Sequence, residues 1–185
     1  MNGMRKAGII LATAALAATT ASAQVKQEQP ISALKGHNSN APVDVTADRI
    51  EVQDRADRAI FAGNVHVVQA EMTLDAPRLT VAYSGGGGSN SNVQIRRLDA
   101  AGGVVVKSPT ETAKGDFGIY DLDRKLITLI GNVQLNREQN QVNGARLVID
   151  LDSGRAVVDG GPPGVNQSGG RVSGHFTVPQ RQQQK

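Results

Sequence analysis

A 29-residue period runs from Ala47 to the end of this 185-residue chain, and it limits the possible folds more than any other feature. Gly63, Gly102, Gly131 and Gly160 fall 39, 29 and 29 residues apart, and a Gly/Ser/Asn-rich stretch at 84–92 supplies the ten-residue excess of the first interval. Self-similarity at a fixed spacing means stacked copies of one supersecondary unit, none of which can bury its apolar face alone. Aligned copies begin at Ala47, Ala76, Gly115, Gly144 and Ser173, the last of them a truncated fifth unit. Of the ten slots at the fourth and sixth positions of these copies, only Gly118 is neither apolar nor aromatic. That alternation predicts a strand with one face inward.

Turns rich in Asp, Gly and Arg follow at 54–58, 121–125 and 150–155, and a second alternating run then leads to the repeat glycine. Each unit is therefore expected to be a β-hairpin. Past the glycine the same parity continues through Val65 and Val67, Val104 and Val106, and Val133 and Leu135. A glycine inside a strand pattern predicts a bulge or bend, so the sheet should turn a corner at each one. No stretch beyond residue 23 carries a helical apolar stripe, so the chain is expected to be all-β.

The first 23 residues have the layout of a cleaved signal peptide: Arg5 and Lys6, an apolar run from Ala7 to Ala18, and Ala21-Ser-Ala23 before Gln24. That run is shorter than the ~20 residues a membrane-spanning helix needs. Without this leader, 18 basic residues face 17 acidic ones, and no basic stripe is interleaved with aromatics, so no nucleic-acid partner is expected. The chain has no cysteine, so stability must come from strand pairing and core burial. Residues 24–41 are expected to be a flexible segment, 42–178 the folded domain and 179–185 a polar tail.

Catalytic parts are scarce. Three separated histidines (His37, His66, His175) match no metal or nucleophile template, and no phosphate loop is present, so neither an enzyme nor a cofactor is expected. Asp121 with Asp123 and Asp150 with Asp152 sit in hairpin turns, where Asp caps its own backbone. His66 lies on the outward parity beside Val65 and Val67. What remains is the interior, predicted to be lined by Val43, Val45, Ile50, Val52, Phe61, Val65, Val67, Val104, Val106, Leu129, Leu147 and Ile149 among others. It is either a filled core or a groove left open for an aliphatic ligand, which at ~0.8 kcal/mol per methylene could be held without any polar motif.

The phrases Pro42-Val-Asp-Val-Thr-Ala-Asp-Arg-Ile50, Phe61-Ala-Gly-Asn-Val65, Leu74-Asp-Ala-Pro-Arg-Leu-Thr-Val81 and Leu129-Ile-Gly-Asn-Val133 resemble the OstA-like family. The resemblance implies a twisted antiparallel β-jellyroll, open at both ends, in the periplasm. It further implies that lipid A acyl chains of lipopolysaccharide sit in the groove, and that molecules join head to tail between an inner-membrane jellyroll partner and an outer-membrane translocon. By position it places Val43 and Val45 at an N-terminal docking edge and groove entrance, Tyr120 and Leu122 near the ligand, and Phe176 and Val178 on a C-terminal docking strand. Two alternatives stand beside it: an inner-membrane-anchored component of the same pathway, and a structural β-repeat with a dry core.

Overall fold

The computed structural model describes Leu34 and residues 36–85, 93–161 and 170–177. The expected leader, the glycine-rich loop beyond Gly85, Pro162-Pro163, Val178 and the polar tail lie outside these residues. Among the described residues ten strands form one antiparallel sheet: β1 (Asp44–Thr46), β2 (Arg49–Gln53), β3 (Arg58–Gln69), β4 (Met72–Ser84), β5 (Gln94–Lys107), β6 (Glu111–Asp121), β7 (Leu126–Arg137), β8 (Asn140–Asp150), β9 (Arg155–Asp159) and β10 (Ser173–His175). The order is β1-β3-β4-β5-β6-β7-β8-β10, with β2 also on β3 and β9 also on β8. The sheet does not close, and β1 with β2 and β9 with β10 form its two edges. This is an all-β, twisted jellyroll-like architecture of successive hairpins.

The long strands break register at one level: between Ala62 and Val65, Asp75 and Arg78, Ala101 and Val104, Lys114 and Phe117, and Ile130 and Val133. Gly63, Gly102 and Gly131 therefore sit at a corner, as expected of a glycine inside a strand pattern. Two of these corners are built alike. Gly63 and Gly131 both have φ +79°, and Asn64 and Asn132 both have φ +44°. Each Asn donates its side-chain amide to an Asp, Asn64 to Asp48 between β1 and β2 and Asn132 to Asp116 on β6, both at 2.8 Å. Those aspartates occupy the second slot of the first and third repeats. In the second repeat the slot holds Pro77, whose ring lies 3.0 Å from where a Cβ on Gly102 would be, and the following dipeptide is Gly102-Gly103 instead of Gly-Asn.

The bend folds the sheet onto itself. Gln69 lies five residues past the β3 corner and Tyr120 five residues past the β6 corner on the opposite half, yet the Tyr120 hydroxyl donates to Gln69 Oε1 at 2.9 Å. On a flat sheet, ten residues of strand would separate them by roughly 30 Å. Two leaves thus face each other across one apolar layer.

The final repeat departs from expectation. Ser173–His175 pairs with Asn143, Val142 and Gln141 of β8, the half of that strand before its corner, while β9 pairs with the half after it. β9 and β10 therefore pair with successive halves of β8 as two parts of one return strand, separated in sequence by residues 160–172, and among the described residues β10 does not open a fifth hairpin. Ser173 follows Gly160 by 13 residues, the same interval that separates Gly131 from Gly144. The length of the insertion thus reproduces the repeat spacing.

Candidate functional site

Cross-strand pairs set the interior in rungs. One runs Val52, Ala59, Val81, Leu98, Tyr120, Ile127, Ile149 and Ala156; the next runs Ile50, Phe61, Leu79, Ala100, Gly118, Leu129, Leu147 and Val158. On the facing leaf Val45, Val67, Leu74, Val106, Ala113, Leu135 and Val142 form a third. Residues directly opposite on antiparallel strands share a face, so each rung is one apolar line from edge to edge. Gly118, the exception in the repeat pattern, is explained by space: a Cβ there would lie 3.0 Å from Val104 and 3.1 Å from Leu129.

Of the residues expected in the interior, Val65, Val67, Val104, Val106, Tyr120, Leu129, Leu147 and Ile149 are buried, and Val43, Val45, Phe61 and Leu122 pack half-buried against them. Ile50 and Val52 share the inner face, but β2 is an edge strand with no further strand beyond it among the described residues, and they are 55% and 57% exposed. They line a rim instead of the enclosed groove. Phe176 was expected on the docking strand; it lies beyond the end of β10, 55% exposed and folded back over Gly174. The outer edges of β1, β2, β9 and β10 have no partner strand among the described residues.

In the middle the interior is filled, for Leu79, Val104, Leu129 and Leu147 have no exposed surface. Two spaces adjoin Leu34, at the mouth between the leaves. A void of about 10 Å³ is lined by Leu34, Val106, Glu111, Ala113, Leu135 and Ile149, and a cleft of about 280 Å³ shares Leu34 with it, lined also by His37, Met72 and Thr110.

Two polar side chains are buried at this mouth. Gln69 donates from Nε2 to the carbonyls of Ser39 and Ala41, both at 3.0 Å, and its Oε1 accepts from Tyr120 with His37 Nε2 at 3.1 Å. Burial pushes the Tyr120 phenol up to about 12, the bond to Gln69 opposing this. Glu111 Oε2 accepts from the Leu34 amide at 2.8 Å, while its Oε1 has no hydrogen-bond partner among the described residues and Arg137 lies 3.8 Å away. Burial raises the Glu111 carboxyl above its ordinary value, and the Leu34 amide and Arg137 offset part of the rise. Sequence reasoning missed both residues, because each adjoins a hairpin turn where a polar side chain normally faces water.

The outward residues behave as the pattern predicts. His66 is exposed and pairs with Asp75 at 2.6 Å, and Lys107 reaches the same carboxylate at 3.2 Å; chiefly through His66, Asp75 is held below its usual range. Asp150 Oδ1 accepts the Asp152 and Ser153 amides, and Asp121 Oδ1 accepts that of Arg124, so these carboxylates cap turns. Among the described residues no cluster of His, Asp and Glu could hold a metal, and no helix is long and apolar enough to cross a membrane.

Residues 44–155 match the family model described as the LptA/(LptD N-terminal domain) LPS transport protein. The chain belongs to this LPS transport family. An uncharacterized protein of Rhizobium meliloti (strain 1021) is 34% identical over 154 residues, spanning 80% of this chain and 83% of its own. The fold is shared with LptH of Pseudomonas aeruginosa, described as the LptA-homologous periplasmic component of the lipopolysaccharide transport device. TM-score is 0.62 at 18% identity, over 76% of this chain and 98% of that one. The LptA-like architecture thus comprises the bent hairpins and apolar rungs described above, with Gly-Asn corners at two of the bends.

Proposed function

We propose that this chain is a periplasmic lipopolysaccharide-binding transport protein, not an enzyme, that holds lipid A acyl chains between its two leaves. It would join head to tail with copies of itself, with an inner-membrane jellyroll partner at one edge and an outer-membrane translocon at the other. The observation that carries the reading is the continuity of the apolar rungs from one unpaired sheet edge to the other. A stack of such molecules joined edge to edge would present one uninterrupted apolar path. Val45 and the rim residues Ile50 and Val52 would line the entrance at the N-terminal edge, and the β10 edge beside Phe176 the exit. Because the middle of the interior is filled, the leaves must part for a chain to enter, and the open edges permit this as a closed barrel would not.

The filled middle also favours a second reading, a structural β-repeat with a permanently dry core. Delipidated mature protein incubated with purified lipopolysaccharide separates the two. The transport reading expects co-elution near one lipid per chain; protein that emerges lipid-free at every concentration supports the dry core.

A further inference from the structure

We infer that Leu34 and residues 36–41 form an intramolecular occupant of the groove mouth, a strap that an entering acyl chain must displace. This rests on the lipid-binding reading of the interior.

Leu34 precedes the first strand by ten residues, yet its side chain is 7% exposed and belongs to the core. A flexible segment was expected there. Leu34 lines the small void of about 10 Å³ together with residues of both leaves, Val106, Ala113 and Leu135 of one and Ile149 of the other, and shares their core cluster. One branched aliphatic side chain thus lies where the end of an acyl chain would fit.

Both buried polar side chains at the mouth, Gln69 and Glu111, hold this segment. Glu111 holds the Leu34 amide, Gln69 holds the Ser39 and Ala41 carbonyls, and His37 closes on Gln69 Oε1. Without the strap, Glu111 Oε2 and Gln69 Nε2 would lose these partners inside a mouth still shielded by the opposite leaf, a costly arrangement unless water or a ligand's own amide and hydroxyl groups replaced them. The site therefore suits an amphiphile with hydrogen-bonding groups near the head of its chains.

Three features favour release. Leu34 is held in the left-handed region, φ +56°, which a leucine rarely adopts. The adjoining cleft of about 280 Å³, lined by Leu34, Gly36 and His37 on the strap side, gives a chain a place to begin. Beyond residue 41 the strap is tied down by β1, a strand of only three residues.

Hydrogen exchange on the mature chain, with and without bound lipopolysaccharide, tests this directly. The peptide covering residues 34–41 should exchange on the order of tenfold faster in the loaded protein, with β3 and β4 amides still protected. Leu34→Asp, which sets a second carboxylate beside Glu111, should load at a roughly tenfold lower lipopolysaccharide concentration, because the competing occupant is gone. If the protein loads while that peptide keeps its protection, or if Leu34→Asp loads like the wild type, the strap is a fixed part of the wall and the inference fails while the lipid reading stands. If neither form loads although both remain folded by circular dichroism, the lipid reading and this inference fall together.

Discussion

Gly131→Ala is expected to lower the unfolding free energy by about 2–4 kcal/mol, whereas Gly103→Ala should cost only about 1–2 kcal/mol. Both glycines have positive φ, +79° and +94°, so each substitution pays the left-handed backbone penalty. They differ in what surrounds the new methyl group. At Gly103 nothing lies within 4 Å, whereas at Gly131 the methyl would overlap Asp116 Oδ2 and sit 2.9 Å from its Cγ and 3.0 Å from its Cβ. Relief requires Asp116 to leave Asn132, which unties the corner between β6 and β7. Urea midpoints at constant m-value measure both costs. In an Asp116→Ala background the penalty at Gly131 should shrink toward that at Gly103, and the difference gives the coupling. Equal costs at the two glycines would mean that the Asp-Gly-Asn corner has no special role.

Deleting residues 172–185 is expected to shift the protein from concentration-dependent oligomers to monomers across the range in which the wild type associates. The deletion removes β10, whose residues are all exposed and whose outer edge has no partner among the described residues, so the sheet behind it should stay folded. Its removal bares β8 at Gln141–Asn143 while β9 still covers Arg146–Asp150, leaving an edge stepped by one strand. An incoming strand cannot pair along both halves of such an edge, and edge pairing is what end-to-end growth requires. Light scattering against concentration decides the matter, and identical oligomer distributions for wild type and truncation would rule out β10 as the docking strand.

The sequence revealed the features that depend on local spacing. Period-2 apolar slots gave the hairpins and the inner face, and Gly63 and Gly131 within Gly-Asn-Val marked the corners, because a bulge needs a positive φ that glycine supplies. The Asp48 and Asp116 partners were missed although they recur in the same repeat slot, since their role appears only once the neighbouring strand lies across the glycine. Gln69 and Glu111 were illegible for a related reason: their burial is created by the opposite leaf and by Leu34, which are brought over them by the fold. Ser173 misled because the corner insertion is as long as the missing segment it imitates. Ile50 and Val52 have the correct parity, but alternation cannot tell an edge strand from a central one.

The claim that lipid occupies the space between the leaves is tested most directly by photocrosslinking in cells, with a photoreactive residue placed at Phe61 or Val45 and, as control, at His66. Phe61 and Val45 face inward and are only half-buried, so the probe can be accommodated, while His66 lies one residue from Val65 and Val67 and points outward. The account predicts lipopolysaccharide adducts at both inner positions and none at His66; equal labelling at all three, or labelling at His66 alone, would contradict it.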